Sequence, residues 1–276
     1  MEQVLKTMLE NVRAKSPLVH NITNYVTVND VANVLLAAGG SPIMSDDADD
    51  VEDITSICGG LNINIGTLNK NTIPSMFLAG KKANALGHIV LLDPVGAGAS
   101  RLRTDTANRL MQEVRFDAVR GNISEIKALC TGSGSTKGVD ADAVDAVTEA
   151  NLGNGVQLVK TFAAQTGCII AVTGAIDLVS DGERCWCIRN GRAEMSRITG
   201  TGCQLSALMT AFLVANPDRK LDAAAAAVCM MGLAGEIGWA NMQPGDGNST
   251  YRNRIIDAIF NMTGDALEEG AKYELR

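Results

Sequence analysis

Short apolar runs, each closed by Gly, Asn or Asp, alternate along this chain with longer stretches of helical periodicity. The runs are "PLVHNIT" (17–23), "SPIMS", "LNINIGTLN", "HIVLLDPVGAGAS", "FDAVRGN" and "CIIAVTG". Between them lie "VTVNDVANVLLAAGG", stopped by Gly39-Gly40, "DDVEDITSICGG" with an acidic first turn, "NTIPSMFLAGKKANALG", "RTDTANRLMQEV" and "ISEIKALC". A strand that reads as continuously apolar is covered on both faces. Strands that alternate with helices build parallel crossover units. The expectation is an α/β fold with a mostly parallel central sheet and helices on both sides.

After "CIIAVTG" the pattern changes. "DLVSDGERCWCIRNGRAEMSRI" (177–198) alternates and is broken at Asp181-Gly182 and Asn190-Gly191, which predicts an antiparallel meander at one sheet edge. A helix over 143–167, broken near Gly153, is expected before it. After it come "TGTGC" with its helix and two more helices. No linker-like segment splits the chain, so residues 1–276 read as a single domain.

Composition excludes several classes. The net charge is −7, and a nucleic acid or an anionic membrane requires a basic face. The seven cysteines are odd in number, form no CxxC pair and have only His20 and His88 as co-ligands. They read as reduced thiols of a cytoplasmic protein rather than a zinc site or disulfide framework. "MEQVLKTMLENVRAKSP" is an amphipathic helix pattern without the features of a signal peptide. "LDAAAAAVCMMGLAGEIGWA" is apolar but carries Asp222 and Glu236, and is expected as a buried helix rather than a membrane span.

In open parallel sheets, ligands bind at the carboxyl ends of the strands. Here those ends carry "HNITN", "NIGTLN", "DPVGAGAS", "RGNISE", "VTG" and "TGTGC". Asp93 either caps the loop that follows it or holds a divalent cation through water. Asn122 and Glu125 have the spacing of a capping box. Alternatively, Glu125 orients water on Mg2+ and Arg120 meets a phosphate, since Mg2+ needs only one or two carboxylates besides substrate phosphates. Gly200, Thr201 and Gly202 open a helix, where free amides and the helix dipole favour an anion. Cys203 at that terminus is a nucleophile, a weak base with a lowered pKa, or filling. "TGSGSTKGVDAD" (131–142) lacks the GK[ST] order of a phosphate loop and reads as a surface loop. His20 reads as a structural histidine. Cys185 and Cys187, like Met111, Met230 and Met231, read as packing.

Taken in order, "VHNITNYV", "AAGGSPIM", "LNINIGTL", "LLDPVGAGAS", "VRGNISEI", "AVTG" with "DLVSDG", and "TGTGCQLSAL" resemble the hydroxyethylthiazole kinase family of thiamin salvage. That resemblance implies a ribokinase-like three-layer α/β/α fold. It also implies transfer of the ATP γ-phosphoryl group to the alcohol of 4-methyl-5-(2-hydroxyethyl)thiazole. It implies Met44 and Gly200 at the thiazole site with Asn21 and Gly66 close by. Arg120 and Thr173 would bind ATP, and Asp93 and Glu125 would lie near Mg2+. Cys203 would stand where ribokinase relatives carry a catalytic Asp, beside the Gly200–Gly202 amides. A homotrimer with the site near the subunit interface is also implied. The same fold hosts pyrimidine and pyridoxal kinases and nicotinamide-nucleotide hydrate dehydratases, and a non-catalytic nucleotide sensor is a third reading.

Overall fold

The computed structural model describes residues 3–132 and 146–276. The chain opens with α1 (Val4–Lys15), β1 (Leu18–Ile22), α2 (Val28–Ala38), β2 (Ser41–Met44), α3 (Val51–Ile57), β3 (Gly60–Asn64) and α4 (Thr72–Leu86). It continues through β4 (Ile89–Asp93), α5 (Arg101–Glu113), β5 (Ala118–Asn122), α6 (Ile123–Gly132), α7 (Leu152–Thr166) and β6 (Ile169–Thr173). The final part holds β7 (Asp177–Ser180), β8 (Cys185–Ile188), α8 (Thr201–Ala215), α9 (Lys220–Ala240), α10 (Asn248–Asn261), α11 (Gly264–Gly270) and β9 (Tyr273–Leu275).

One sheet runs in the order β2-β1-β3-β4-β5-β6-β7-β8-β9. The first six strands in that order pair in parallel, and β7, β8 and β9 add on antiparallel. Alternate side chains leave a strand on opposite faces. On β4, Ile89 and Leu91 pack with α1, α8, α9 and α10, while Val90 and Leu92 pack with α4, α5, α6 and α7. The result is the three-layer α/β/α arrangement expected, with an antiparallel edge. Helices α2, α4 and α7 end on the left-handed glycines Gly39, Gly87 and Gly167, each of which turns the chain toward the next strand.

Helix α9 is the apolar Ala-rich segment. It is long and apolar enough to cross a membrane, yet its residues are mostly buried among α8, α10 and the sheet. The expected burial of that helix is what the fold delivers.

Three expectations need correction. Among the described residues, the helix expected over 143–167 is a 3-10 turn at Glu149–Asn151 followed by α7 from Leu152. Thr148 and Asn151 close a capping box there, and Gly153 lies within the helix rather than breaking it. The last limb of the predicted meander, Ala193–Arg197, is a 3-10 helix. The strand beside β8 is β9 instead, from the chain's far end, so the C-terminal part is not helices alone. From residue 133 on, the glycine-rich stretch 131–142 lies outside the described residues.

Candidate active site

Because the first six strands are parallel, their carboxyl ends share one edge of the sheet. Met44 is the register partner of Asn21, Asn64 of Asp93, and Asn122 of Thr173. These are the polar strand ends of the sequence, now side by side. Helix α8 reaches the same edge near its N-terminus, where Ser206 bonds Asp93 at the end of β4.

Asp93 is fully buried at the end of β4. Its Oδ2 accepts hydrogen bonds from Asn64 Nδ2 at 2.7 Å and Ser206 Oγ at 2.8 Å. Its Oδ1 accepts none. Arg120, on the neighbouring strand, brings Nη1 to 3.7 Å from that oxygen and donates through Nη2 to Thr173 Oγ1. Burial pushes the Asp93 carboxyl up to about 6, with Glu125 adding to it and Arg120, Ser206 and Asn64 opposing. Glu125 does form the capping box. Its Oε2 accepts from Asn122 N–H at 2.8 Å, and its own N–H donates to Asn122 Oδ1 at 2.9 Å. Its Oε1 accepts from Gly96 N–H at 2.8 Å, which ties the "DPVGAG" loop to α6.

Gly200 caps α8 in the left-handed region, φ +84°, and a Cβ there would run into Thr27. A Cβ on Gly202 would run into the Arg120 guanidinium. The two glycines therefore admit close approach of α2's N-terminus and of Arg120 to the first amides of the helix. Cys203 is 8% exposed and belongs to an apolar cluster with Val19, Val31 and Leu35, against which Met44 packs. Its Sγ accepts from Asn24 Nδ2 at 3.1 Å. Burial and then the Asp93 charge push its pKa up, against the depression expected of a helix N-terminus. Taking the thiolate out of water outweighs the helix dipole here.

The expected thiazole-side residues gather around this point. Met44 joins the Cys203 cluster. Asn21 is buried on β1, and its Oδ1 accepts from Asn62 at 3.0 Å. Gly66 lies against Asn24 and Asn64, and its N–H donates to Asn64 Oδ1 at 2.9 Å. His20 points away from them, bonded at 2.9 Å to both Thr55 Oγ1 and Ser45 O, as befits a structural histidine. The acidic run Asp46–Asp50 is exposed.

On the other side of the α8 terminus opens a cleft of about 640 Å³. Arg120, Thr173, Thr201 and Gly202 stand at its polar end, and Leu205, Val228 and Met231 line its apolar part. Nucleotide sites combine such an apolar slot with a few convergent polar groups. The Gly200–Cys203 turn thus separates a cleft of nucleotide size from a small apolar cluster.

Asn24, Asn64 and Ser206 belong to this site, and the sequence reasoning passed over them. Asn62 and Asn64 recur at strand spacing in an otherwise apolar run, which was the available signal. Asp177 was also missed. It lines the cleft, accepts from Gly174 N–H at 2.8 Å, and is pushed up to about 7 by burial.

Fold and site together define a small-molecule kinase of ribokinase-like architecture. Comparison with known proteins agrees. The pyridoxal kinase from Staphylococcus aureus, solved with ADP, matches in fold at TM-score 0.62 and 14% identity, over 94% of this chain and 98% of its own. The hydroxyethylthiazole kinase from Pyrococcus horikoshii OT3 superposes at TM-score 0.88 with 32% identity over the whole of both chains. The hydroxyethylthiazole kinase from Clostridium acetobutylicum is 58% identical, over 98% of this chain and 99% of its own. The Hydroxyethylthiazole kinase family matches residues 9–265, and the chain belongs to that family.

Proposed function

We propose that this protein transfers the γ-phosphoryl group of ATP to the primary alcohol of 4-methyl-5-(2-hydroxyethyl)thiazole. Family membership supports the reaction. The observation that carries the mechanism is the position of the Gly200–Cys203 turn between the large cleft and the Met44–Cys203 cluster. ATP lies in the cleft with its phosphates toward Arg120, Thr173 and the first amides of α8. The thiazole lies on the other side, against Met44 and Cys203, with Asn21 and Gly66 close by.

Asp93 and Glu125 are the carboxylates for Mg2+. Asp93 offers a buried oxygen without a hydrogen-bond partner, whereas both Glu125 oxygens already accept backbone N–H groups. Among the described residues no cluster of three His, Cys, Asp or Glu is present to hold a metal. That donor set fits a cation arriving with the triphosphate rather than one caged by protein. Bound there, Mg2+ would neutralise charge on the phosphates.

The protein's own groups do the rest. Arg120 and the Gly200–Cys203 amides stabilise the charge that spreads over the transferred group. In a loose transition state the alcohol keeps its proton until late, so a neutral Cys203 thiol suffices to seat it. We read the assembly as a homotrimer with the thiazole site near the interface. Exposed Tyr25 and Val26, just after "HNITN", support that reading. The buried free cysteines support a cytoplasmic, reducing setting.

The test is a coupled ADP-release assay with ATP, Mg2+ and hydroxyethylthiazole, beside hydroxymethylpyrimidine, pyridoxal and no acceptor. Turnover with the thiazole alone, abolished by EDTA, is expected. Turnover with another alcohol instead would overturn the substrate reading.

A further inference from the structure

Glu236 is a carboxylate near the C-terminal end of the largely apolar helix α9, and the mechanism above does not use it. Its Oε1 accepts from Gly191 N–H at 2.9 Å and from Asn190 Nδ2 at 3.3 Å. Its Oε2 accepts from Lys272 Nζ at 2.6 Å. Asn190 and Gly191 form the turn after β8 and line the large cleft.

The turn is fastened from behind as well. Asn190 Nδ2 donates to Gly270 O at 3.0 Å, and Asn190 Oδ1 accepts from Lys272 N–H at 2.8 Å. Both side-chain ends of Asn190 are thereby occupied, so the amide acts as a rivet and not as a free reader of a ligand. Beneath the turn, α9 carries Gly232, where a Cβ would lie 2.7 Å from the Asn190 backbone. A turn further on, a Cβ on Gly235 would run into Met195. The helix therefore has a notch into which the cleft wall settles, and Glu236 sits at the end of that notch. A half-buried carboxylate that accepts from three donors fixes their geometry more firmly than apolar contact does.

We propose that Glu236 is a positioning residue for the nucleotide, which it does not touch: it sets nucleotide affinity by holding Asn190 and Gly191 in the cleft wall. The proposal rests on the reading of that cleft as the ATP site. It also makes the C-terminal segment from Gly270 to Lys272 part of the support for that site.

The test uses the full chain. ADP affinity is measured by calorimetry, with KM for hydroxyethylthiazole measured at saturating ATP. Glu236→Ala should weaken ADP at least tenfold and leave the thiazole KM within twofold. Glu236→Gln keeps an acceptor for Gly191 and Asn190 and should stay within threefold of the parent protein for ADP. Should Glu236→Ala fail to fold, Glu236→Asp, which withdraws the carboxylate from Gly191, carries the same tenfold expectation. ADP binding within threefold of the parent in these disrupting variants would overturn the proposal, as would a thiazole KM that rises in step with the ADP constant. Ala193→Trp separates the two readings, because it adds a bulky side chain to the wall of the cleft and leaves Glu236 itself unchanged. If Ala193→Trp abolishes ADP binding while Glu236→Ala leaves it intact, only the positioning role fails. If Ala193→Trp binds ADP like the parent, the cleft reading fails and this proposal with it.

Discussion

The Arg120 guanidinium stands 3.7 Å from Asp93 Oδ1, the oxygen of that carboxylate that accepts no hydrogen bond. The two groups come from adjacent parallel strands, one residue past the Leu92–Val119 register pair. Their attraction does not offset the desolvation of Asp93, whose pKa still lies near 6. The site holds a carboxylate in a form that folding disfavours.

That gives a pH dependence of stability. The folded pKa of Asp93, about 6, exceeds the ordinary value of 3.8. Its contribution is fully present below pH 3.8 and is lost as pH rises through 6, leaving a destabilisation on the order of 3 kcal/mol at pH 8. Asp93→Asn lacks this titration. In metal-free buffer its melting temperature should exceed that of the parent protein at pH 8, and the lead should shrink as pH falls from 6 toward 4. A lead that stays constant across that range would refute the assignment. Activity should fall by about a hundredfold or more, since a charged group at the phosphoryl site is removed.

Cys203 gives a second prediction. A thiol whose pKa is raised by burial is neutral at pH 7 and is a poor base. Cys203→Ser should therefore retain more than about 1% of kcat, a loss under roughly 2.7 kcal/mol. Iodoacetamide should modify Cys203 more slowly than free cysteine at pH 7, read by mass spectrometry. Retention below about 0.1%, near 4 kcal/mol, would restore Cys203 as an indispensable base.

Gly200 gives a third. Alanine there must adopt φ +84° and press on the Thr27 side chain. Gly200→Ala should lower stability by about 1–3 kcal/mol in chemical denaturation. Thr27 donates to Asn24 Oδ1 at 3.0 Å, and Asn24 in turn donates to Cys203, so thiazole KM should rise as well. Thr27→Ser removes the clashing methyl and keeps the hydroxyl. Added to Gly200→Ala, it should recover part of both losses. No recovery would place the damage in the helix cap alone.

The parallel core was legible residue by residue. "HIVLLD", "FDAVRGN" and "CIIAVTG" became β4, β5 and β6 within a residue or two of their expected bounds, while the strand expected over "LNINIGTLN" (61–69) ends at Asn64 as β3. Apolar runs of that length, punctuated by Asn, Asp and Gly, have few other ways to bury themselves. The site was legible as a set of strand ends, and the order of "HNITN", "DPVGAG", "RGNISE" and "TGTGC" identified the family. Asn24 and Asn64 escaped notice because an asparagine in a turn or strand carries no local mark of what it bonds.

By itself, the sequence determined the α/β class, the strands and helices of the core, and the family to which the chain belongs. These follow from local periodicity and from motifs each contained within a few residues. Only the tertiary structure decided that β9 rather than Ala193–Arg197 pairs with β8. The competing strand lies some ninety residues along the chain from its partner, beyond the reach of any local pattern. Only the structure decided that burial holds the Cys203 thiol neutral and pushes the Asp93 carboxyl up to about 6. Desolvation depends on what covers a group, and that cover comes from every layer of the fold at once.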